Sequence, residues 1–523
     1  MNLRTGKALA AALLLVAAAG CTDTTVEPKS TVTEANVFND PGSYQAFLAR
    51  VYAGLAVTGQ QGAAGNADIA GIDEGFSQYV RLLWELQTLP TDEAVLGWGD
   101  VGIRDLVTLT WGSTNPFLNA MYYRVYFQVM MANEFLRQTT DEKLAARGNV
   151  SSALYDEIQT YRAEARFLRA LSYWHGIDIF GDIPLVTEAD GLGATPPQQA
   201  SRADIYSFLV SELTAIIPDL PAPGASTYGR ATTLAARMLL AKLYMNAGVY
   251  TGTPNYAAAM TEVQAVIAGP YTLDDNYRDI FLADNDASPE IIFAVPSDGR
   301  RTQTWGGMTF LVHASCGASM NASDYGIDGC WWGLRLKPEA YNRYAAGDGR
   351  ASYFYTSGQN VAIGSIGNFN DGIAAPKFTN RTSGGAQGSH PTFPDTDFPM
   401  FRLGDAYLMY AELQLRGGGG TAAQALAYVN ALRQRAYGGP AGDITAGQLD
   451  LQFVLDERGR ELLWEAHRRT DLIRYDLYTG GTYLWAWKGD VQAGTATSAH
   501  LDLYPLPANE LIANPNLTQN PGY

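Results

Sequence analysis

The sequence has few residues of the kinds that build metal centres, and few long apolar runs. Its 523 residues include 3 Cys and 5 His, and none of them forms a zinc motif with the usual ligand spacing. Beyond the N-terminal segment, no apolar run reaches the roughly 18 residues that a membrane-spanning helix needs. We therefore expect neither a zinc site nor a bundle of membrane-spanning helices.

Positive charge is also scarce. Lys and Arg number 36 against 53 Asp and Glu, which gives a formal net charge of −17. Nucleic-acid binding depends on clustered Lys and Arg that displace counterions, so this balance argues against a nucleic-acid partner. What is plentiful is core and turn material: 47% of the residues are hydrophobic, and there are 54 Gly and 30 Tyr.

Motifs of common enzymes are missing. The chain has no nucleophile elbow, Walker loop or dinucleotide-binding fingerprint. Acidic residues do cluster in two places, but neither shows the alternation and central Gly of an EF-hand loop. We expect solvated turns there and no cofactor, with a structural calcium ion as the alternative. The clustered residues are Asp92 and Glu93, and then Asp274, Asp275, Asp279, Asp284 and Asp286.

The N-terminal segment has the pattern of an export signal. Arg4 and Lys7 precede an apolar stretch over residues 8–19 that is too short to span a bilayer, and small residues then lead to Cys21. This arrangement is typical of a bacterial lipoprotein signal peptide over residues 1–20, with an ordinary signal peptide as the alternative. Cys21 is then the lipidated first residue of the mature chain, and the polar residues 21–33 form a tether.

The other two cysteines, Cys316 and Cys330, form an even pair in an exported chain, where oxidation is permitted. We expect a disulfide between them. The bridge would close a loop of about fifteen residues and contribute about 3 kcal/mol in the chain-entropy model.

Helical periodicity dominates most of the chain. Two long amphipathic helices are predicted at 116–137 and 152–179, and two further helix pairs have similar sequences, at 232–268 and from 404 onward. Such pairs resemble tetratricopeptide repeats, which stack because one pair cannot bury its apolar face alone. Between the two similar pairs, residues 271–400 form a loop-rich insertion with one predicted strand at 290–295.

The most highly charged long segment, FVLDERGRELLWEAHRRTDLIRYDLY at 453–478, is predicted to be one helix. Glu465 lies four residues before Arg469, the favoured order for a helical ion pair. The charged residues of the segment 453–478 suit either a catalytic cluster or a structural clamp. We interpret five of them as a clamp that holds the C-terminal coil to the repeats: Glu461, Glu465, Arg468, Asp471 and Arg474.

Part of this segment, ERGRELLWEAHRRTDLIRY, closely resembles the motif ERRRELxxEGHRxxDLxR of SusD/RagB-family outer-membrane nutrient-binding lipoproteins. Gly459 stands where that family usually has Arg, and Ala466 where it usually has Gly. Two more stretches are similar to family signatures and occur in the family's order. They are AEARFLRALSYWHGIDIFGDIPLVTE at 163–188 and YPLPANELIANPNLTQNPGY at 504–523.

The resemblance implies a mainly α fold, a tetratricopeptide-like right-handed helical superhelix with long irregular loop insertions and little β structure. It implies one SusD-like domain over 34–523, closed by a C-terminal helix and coil at 453–523. It also implies a lipid anchor in the outer membrane, at the cell surface, and a SusC-like TonB-dependent transporter as partner. The family's ligand-contacting aromatics share no sequence motif, so no binding residue is carried over from it.

The candidate binding residues come instead from composition and placement. A sugar ring has an apolar C–H face bordered by hydroxyls, so it needs exposed aromatic rings beside polar groups. Burial of each ring in its own loop is the alternative, because Trp is highly buried on average. The candidates are Trp98, Trp305, Tyr325, Trp331 and Trp332, with polar neighbours at Arg301, Gln303, Asn321, Asp324 and Asp328.

From these features we predict a nutrient-binding lipoprotein, not an enzyme, that captures an oligosaccharide or similar nutrient and passes it to the transporter. Two alternatives from other classes are a glycosidase on a helical scaffold and a repeat module that binds only proteins. The glycosidase would need two carboxyls about 5–9 Å apart across a cleft.

Overall fold

The computed structural model describes residues 37–38, 40–59, 61–191, 193 and 195–523. The predicted signal peptide at 1–20, Cys21 and the tether at 21–33 lie outside these residues. Within the described ranges, no helix is long and apolar enough to cross a membrane.

Helices dominate the regular structure of the described residues, and the strands are short. The N-terminal half contains α1 (Gly42–Ala56), α2 (Tyr79–Thr88), β1 (Ala94–Leu96), α3 (Ile103–Thr108), α4 (Pro116–Gln138), α5 (Asp141–Arg147), α6 (Ser152–Phe180), β2 (Ile183–Pro184), β3 (Gln199–Ala200), α7 (Arg202–Ile216), α8 (Thr233–Met245), α9 (Ala247–Thr251) and α10 (Tyr256–Ile267). The C-terminal half contains β4 (Ile291–Val295), α11 (Gly307–Ala314), β5 (Leu334–Leu336), α12 (Pro338–Asn342), β6 (Phe398–Arg402), α13 (Leu403–Leu415), α14 (Ala422–Tyr437), α15 (Leu451–Glu461), α16 (Arg468–Arg474) and α17 (Ala508–Ala513).

The long helices pack as the sequence predicts. α4 packs against α6, α8 against α10, and α13 against α14. α10 also packs directly on α13, although the insertion separates them in sequence. The two similar helix pairs are therefore neighbours in one stack, and most of the buried apolar side chains of repeats and insertion belong to one hydrophobic core.

A short antiparallel ladder closes the insertion at its base. The predicted strand β4 pairs with β6, from Ile291 opposite Arg402 to Val295 opposite Phe398. Both strands are fully buried. β6 is followed directly by α13. The chain therefore leaves the helical repeats near β4 and returns to them near β6, and because these two strands are paired, both ends of the loop-rich insertion lie close together.

Residues 453–478 do not form one helix, so that prediction is wrong. α15 ends at Glu461 and α16 begins at Arg468. Between them Trp464 and Ala466 adopt left-handed backbone conformations, with φ of 61° and 60°. Backbone groups in this break form hydrogen bonds with distant segments instead of within a helix. The indole N–H of Trp84, for example, donates to the Trp464 carbonyl at 2.9 Å. Tertiary hydrogen bonds thus replace the helical ones.

Buried ion pairs surround this break. Arg402 of β6 is 1% exposed. Its guanidinium donates to Glu465 at 2.6 Å, to Glu290 at 2.7 Å and to Glu461 at 2.8 Å. Arg435 of α14 pairs with the carboxylates of Glu290 and Glu461 as well. The base of the insertion, the last repeat and α15 therefore share one network of charges.

Two cations from the insertion complete the network. Lys377 donates to the Leu463 carbonyl and to Glu465, each at 2.6 Å. Arg350 donates to Glu457 at 2.8 Å and to Glu461 at 2.9 Å. Burial alone would raise the pKa of Glu457, but attraction to Arg350 and two further arginines lowers it to about 2. Glu457 is therefore charged at neutral pH.

The five predicted clamp residues do form ion pairs, but these pairs do not hold the C-terminal coil, as we predicted. Glu465 pairs with Arg402 and Lys377 rather than with Arg469, and Arg468 donates to Asp92 beside β1 at 2.6 Å. Two further clamp residues contact α15 and the last repeat: Asp471 pairs with Arg458 of α15, and Arg474 pairs with Glu412 of α13. The five residues therefore join the insertion, the last repeat and the N-terminal half.

Other contacts hold the C-terminal coil. The guanidinium of Arg469 donates to the Asp502 carbonyl. Tyr504 is fully buried; its amide donates to the Ile179 carbonyl at 2.9 Å and its hydroxyl to the Leu86 carbonyl at 2.7 Å. Residues outside the predicted five thus attach the coil to α6 and α2.

Replacing Glu465 with Gln is expected to lower the free energy of unfolding by about 3–5 kcal/mol. Lys377 then keeps a buried charge without a carboxylate partner, and Arg402 keeps only Glu290 and Glu461 as partners. Urea unfolding followed by circular dichroism measures the change. The exposed Glu142 supplies the control, and E142Q should shift stability by no more than about 0.5 kcal/mol. An E465Q protein as stable as wild type contradicts a structural role for the network.

Replacing Ala466 with Gly is expected to raise stability. A left-handed non-Gly residue costs about 1–2 kcal/mol, and the extra freedom of Gly in the unfolded chain offsets about 0.5–1 kcal/mol of that gain. The matched control is A427G in the exposed interior of α14, which should lose about 1 kcal/mol. Thermal melts of the two variants should move in opposite directions, and a fall for A466G refutes this account.

Candidate functional site

The unpredicted ladder between β1 and β5 brings two distant loops together. Ala94 lies opposite Leu336 and Leu96 opposite Leu334. The pairing continues past the strands, because the Gly97 amide donates to the Gly333 carbonyl at 2.9 Å. Trp98 follows β1, and Trp331 and Trp332 precede β5, so the register places these tryptophans at the same end of the ladder.

Three tryptophans from three loops meet at that end. The ring centroids of Trp98 and Trp331 are 6.3 Å apart with planes inclined by 50°. Those of Trp305 and Trp331 are 6.0 Å apart and inclined by 45°. Trp305 is 40% exposed, and the other two rings are half-buried. We refer to Trp98, Trp305 and Trp331 as the tryptophan surface.

Trp98 is held from beneath and from the side. Its ring packs edge-on against Phe310 of α11, with centroids 5.6 Å apart. Its indole N–H donates to the Trp332 carbonyl at 2.6 Å. Gly333 adopts a φ of 111°, and a Cβ there would lie 2.3 Å from the indole nitrogen of Trp98. This close approach therefore requires glycine.

Trp305 is held by a buried carboxylate. Glu74 is 7% exposed and accepts the Trp305 amide at 2.9 Å and the Thr58 hydroxyl at 2.5 Å. On its other side the Trp305 ring lies 5.1 Å from the ring of Phe393. The most exposed ring of the surface thus stands on a fixed backbone.

Trp331 is attached to the end of α11. Its amide donates to the His313 carbonyl at 2.9 Å. Its ring stacks on the His313 imidazole, with centroids 4.6 Å apart and planes 25° apart. Cys316 and Cys330 are joined by a disulfide, with Cα atoms 4.9 Å apart. Covalent and non-covalent links therefore fix the residues directly before Trp331.

Trp332 turns away from the tryptophan surface. Its ring packs against Phe369, with centroids 5.6 Å apart, and lies over Gly317. Adjacent side chains of an extended chain would also point in opposite directions. The rings do separate, but Trp332 has a φ of 54°, so a left-handed backbone rather than strand alternation turns its side chain.

The remaining candidates lie in other parts of the insertion. Tyr325 ends a 3₁₀ turn, Ala322–Tyr325, that Asn321 caps, and its carbonyl accepts the Asn380 amide at 2.9 Å. Arg301 is exposed and lies 3.5 Å from Asp298. Three further polar candidates make local contacts: Asp324 with Asn321, Asp328 with Thr392, and Gln303 with the Gly299 carbonyl. None of these contacts involves a ring of the tryptophan surface.

The acidic pair Asp92 and Glu93 is buried, so the expectation of solvated turn residues is wrong there. Asp92 is fully buried and pairs with Arg468 and Arg343. Arg343 occupies the space beside Gly459, where a Cβ would lie 2.8 Å from its guanidinium. Burial, reinforced by repulsion from Asp92, raises the pKa of Glu93 to about 7. Two carboxyls buried beneath arginines do not line a cleft. Their position disfavours the hypothesis that this pair is the catalytic pair of a glycosidase.

The described residues contain no group of three His, Cys, Asp or Glu side chains placed to hold a metal ion. Around the tryptophan surface, sequence reasoning missed Glu74, Phe310, His313 and Phe393 as supports. Their sequence contexts carry no signal for this role, because each acts only through a tertiary contact.

The fold and the site define a helical-repeat protein that carries an aromatic surface on its loops. The chain belongs to the SusD family: the family profile matches residues 351–523, and the chain is 32% identical to the starch-binding protein SusD of Bacteroides thetaiotaomicron over 92% of each chain. It is also 29% identical to the SusD-like protein P25 of Formosa agariphila, covering 71% of this chain and 74% of that protein.

Solved structures show the same fold. A SusD superfamily protein from Parabacteroides distasonis superposes with a TM-score of 0.71 at 23% identity, covering 92% of this chain and 99% of the other. The surface glycan-binding protein A of Bacteroides thetaiotaomicron, solved in complex with laminarihexaose, gives a TM-score of 0.69 at 20% identity, covering 91% and 98%.

Replacing both cysteines of the disulfide with Ala should lower the free energy of unfolding by about 3 kcal/mol, because the unfolded chain regains the entropy of a loop of about fifteen residues. Denaturant unfolding of C316A/C330A against wild type measures this. A reducing agent should destabilise wild type and leave the double variant unchanged; equal stability of all forms would contradict a structural disulfide.

Proposed function

We propose that this protein captures an oligosaccharide on the tryptophan surface and passes it to a SusC-like TonB-dependent transporter in the outer membrane. The observation that carries the proposal is the meeting of Trp98, Trp305 and Trp331, which come from three separate loops, at one partly exposed place. Membership of the SusD family supports it, as do the names of relatives that bind starch or are described as glycan-binding.

The inclination of the rings favours one class of glycan. Neighbouring indole planes differ by 45° and 50°, so the three rings form a curved surface rather than a flat one. A helical glucan, such as an α-1,4-glucan or a β-1,3-glucan, presents successive apolar sugar faces along a curve, whereas a straight β-1,4-glucan presents them along a flat ribbon. We infer a starch-like α-glucan ligand, in agreement with the name of the relative that is 32% identical.

Binding without chemistry suits this site. The aromatic rings supply stacking area, and Glu74 is already occupied by the Trp305 amide and the Thr58 hydroxyl. The rings are held in place before the ligand arrives, which reduces the entropy lost on binding. A protein that delivers its ligand must also release it, so we expect modest affinity.

Anchoring is part of the proposal. Cys21 at the end of a lipoprotein signal would carry the acyl chains that hold the protein to the outer membrane, at the cell surface. Residues 21–33 would then act as the tether and residues 34–523 as the nutrient-binding domain. The N-terminal segment supports this through its sequence pattern alone.

Replacing Trp305 with Ala should weaken binding of maltoheptaose at least about tenfold, or about 1.4 kcal/mol, because the most exposed ring of the surface is lost. The melting temperature should stay nearly constant, since that ring is 40% exposed. Isothermal titration calorimetry measures the affinity. The triple variant W98A/W305A/W331A should show no measurable binding.

The matched control is W487A. Trp487 is a half-buried tryptophan whose indole donates to the Ile363 carbonyl, away from the tryptophan surface, and its removal should leave affinity unchanged. Cellohexaose tests the shape argument and should bind wild type far more weakly than maltoheptaose. Unaltered maltoheptaose binding by W305A would overturn the site, and equal binding of the two sugars would overturn the α-glucan assignment.

A further inference from the structure

His390 extends the row of rings beyond Trp305. The Trp305 ring lies 5.1 Å from the ring of Phe393, and the Phe393 ring lies 5.1 Å from the imidazole of His390, with planes inclined by 36°. Phe393 is 8% exposed, whereas His390 is half-buried. The imidazole is therefore the next partly exposed ring at the Trp305 edge of the tryptophan surface.

The backbone fixes which ring nitrogen of His390 carries the proton. The amides of Thr392 and Phe393 both donate to Nδ1, at 3.1 Å and 3.3 Å. A ring nitrogen that accepts hydrogen bonds has no proton of its own, so the neutral imidazole holds its N–H at Nε2. Among the described residues Nε2 has no hydrogen-bond partner, and it is not an enclosed atom. The side chain thus presents one oriented donor to solvent.

The segment that carries His390 is held in place before any ligand arrives. The side-chain amide of Asn380 donates to the His390 carbonyl at 2.8 Å, and the Asp328 amide donates to the Pro391 carbonyl at 3.1 Å. A Cβ at Gly299 would lie 2.9 Å from the Cβ of His390, so the neighbouring loop packs directly against this side chain. Little conformational freedom is then lost when the Nε2–H donates to a ligand.

Two polar groups at the tryptophan surface are already occupied. The indole N–H of Trp98 donates to the Trp332 carbonyl at 2.6 Å, and Glu74 accepts the Trp305 amide at 2.9 Å. Stacking on aromatic rings favours the apolar face of a sugar but does not orient its hydroxyls, which need polar groups at defined positions. The Nε2–H of His390 supplies such a group at one end of the surface.

We propose that His390 is a further ligand-binding residue, whose Nε2–H donates a hydrogen bond to a hydroxyl oxygen of the captured glycan. This rests on the proposed function, because the glycan must first lie on the tryptophan surface. A stacked sugar can slide along aromatic rings, whereas a single fixed donor favours the position that brings an oxygen to it. His390 therefore helps to set which sugar unit lies next to Trp305 and in which orientation.

Calorimetric titration with maltoheptaose tests the contact. H390F keeps a ring against Phe393 but has no donor, so it should bind about three- to tenfold more weakly than wild type, the loss expected for one neutral hydrogen bond. H390Q can place an amide N–H near the position of Nε2 and should keep most of the affinity. The matched control is H500F, because His500 is a half-buried histidine that packs against Tyr523 in the C-terminal coil. Wild-type affinity in H390F, or equal losses in H390F and H390Q, would overturn the role of a donor.

Nuclear magnetic resonance of protein labelled with ¹⁵N-histidine separates contact from packing. At about pH 8, above the usual range of histidine titration, the His390 ring should carry its proton on Nε2, and its signals are assigned by their loss in H390F. Maltoheptaose should shift the Nε2 signal of His390 and leave that of His500 in place. A proton on Nδ1, or an Nε2 signal that stays in place while maltoheptaose binds, contradicts the proposal. Failure of wild type to bind maltoheptaose would refute the proposed function instead.

Discussion

The buried ion network around Arg402 is the interaction on which the rest of the structure depends. The guanidinium of Arg402 forms ion pairs with Glu290 at the start of the β4–β6 ladder, with Glu461 at the end of α15, and with Glu465 in the segment that follows α15. Lys377, from the C-terminal part of the insertion, also pairs with Glu465. Buried charges are costly unless each has a partner, so the network specifies one arrangement of insertion, repeats and C-terminal segment. Removing one member leaves buried charges on its partners that are less fully compensated.

That constraint reaches the tryptophan surface through the backbone. The ladder of β4 and β6 returns the insertion to the repeats, and the ladder of β1 and β5 attaches it to the N-terminal half. Arg468 and Arg343 fix Asp92 just before β1. The loops that present the three rings are long, yet each ladder is tied at one end to buried charge pairs. A rigid scaffold thus presents aromatic rings on irregular loops.

Local sequence patterns predicted the helices well because their apolar spacing reports burial on one face. They failed where tertiary contacts overrode that spacing. Residues 453–478 have helical periodicity throughout, but hydrogen bonds from Trp84 and Lys377 stabilise an open backbone at 462–467. The short strands β1, β5 and β6 carry no alternation long enough to detect, and pairing across more than a hundred residues defines them. Glu465 and Arg469 have ideal helical spacing but find partners elsewhere.

The sequence by itself determined the family, the repeat helices and the position of the insertion, since these depend on local pattern and composition. It also singled out the tryptophans, but not which of them meet. Only the tertiary structure decided that Trp98, Trp305 and Trp331 share a surface while Trp332 packs on Phe369. The physical reason is that ring placement follows from strand register, from single left-handed residues and from buried polar contacts. Each of these is a relation between segments far apart in the chain.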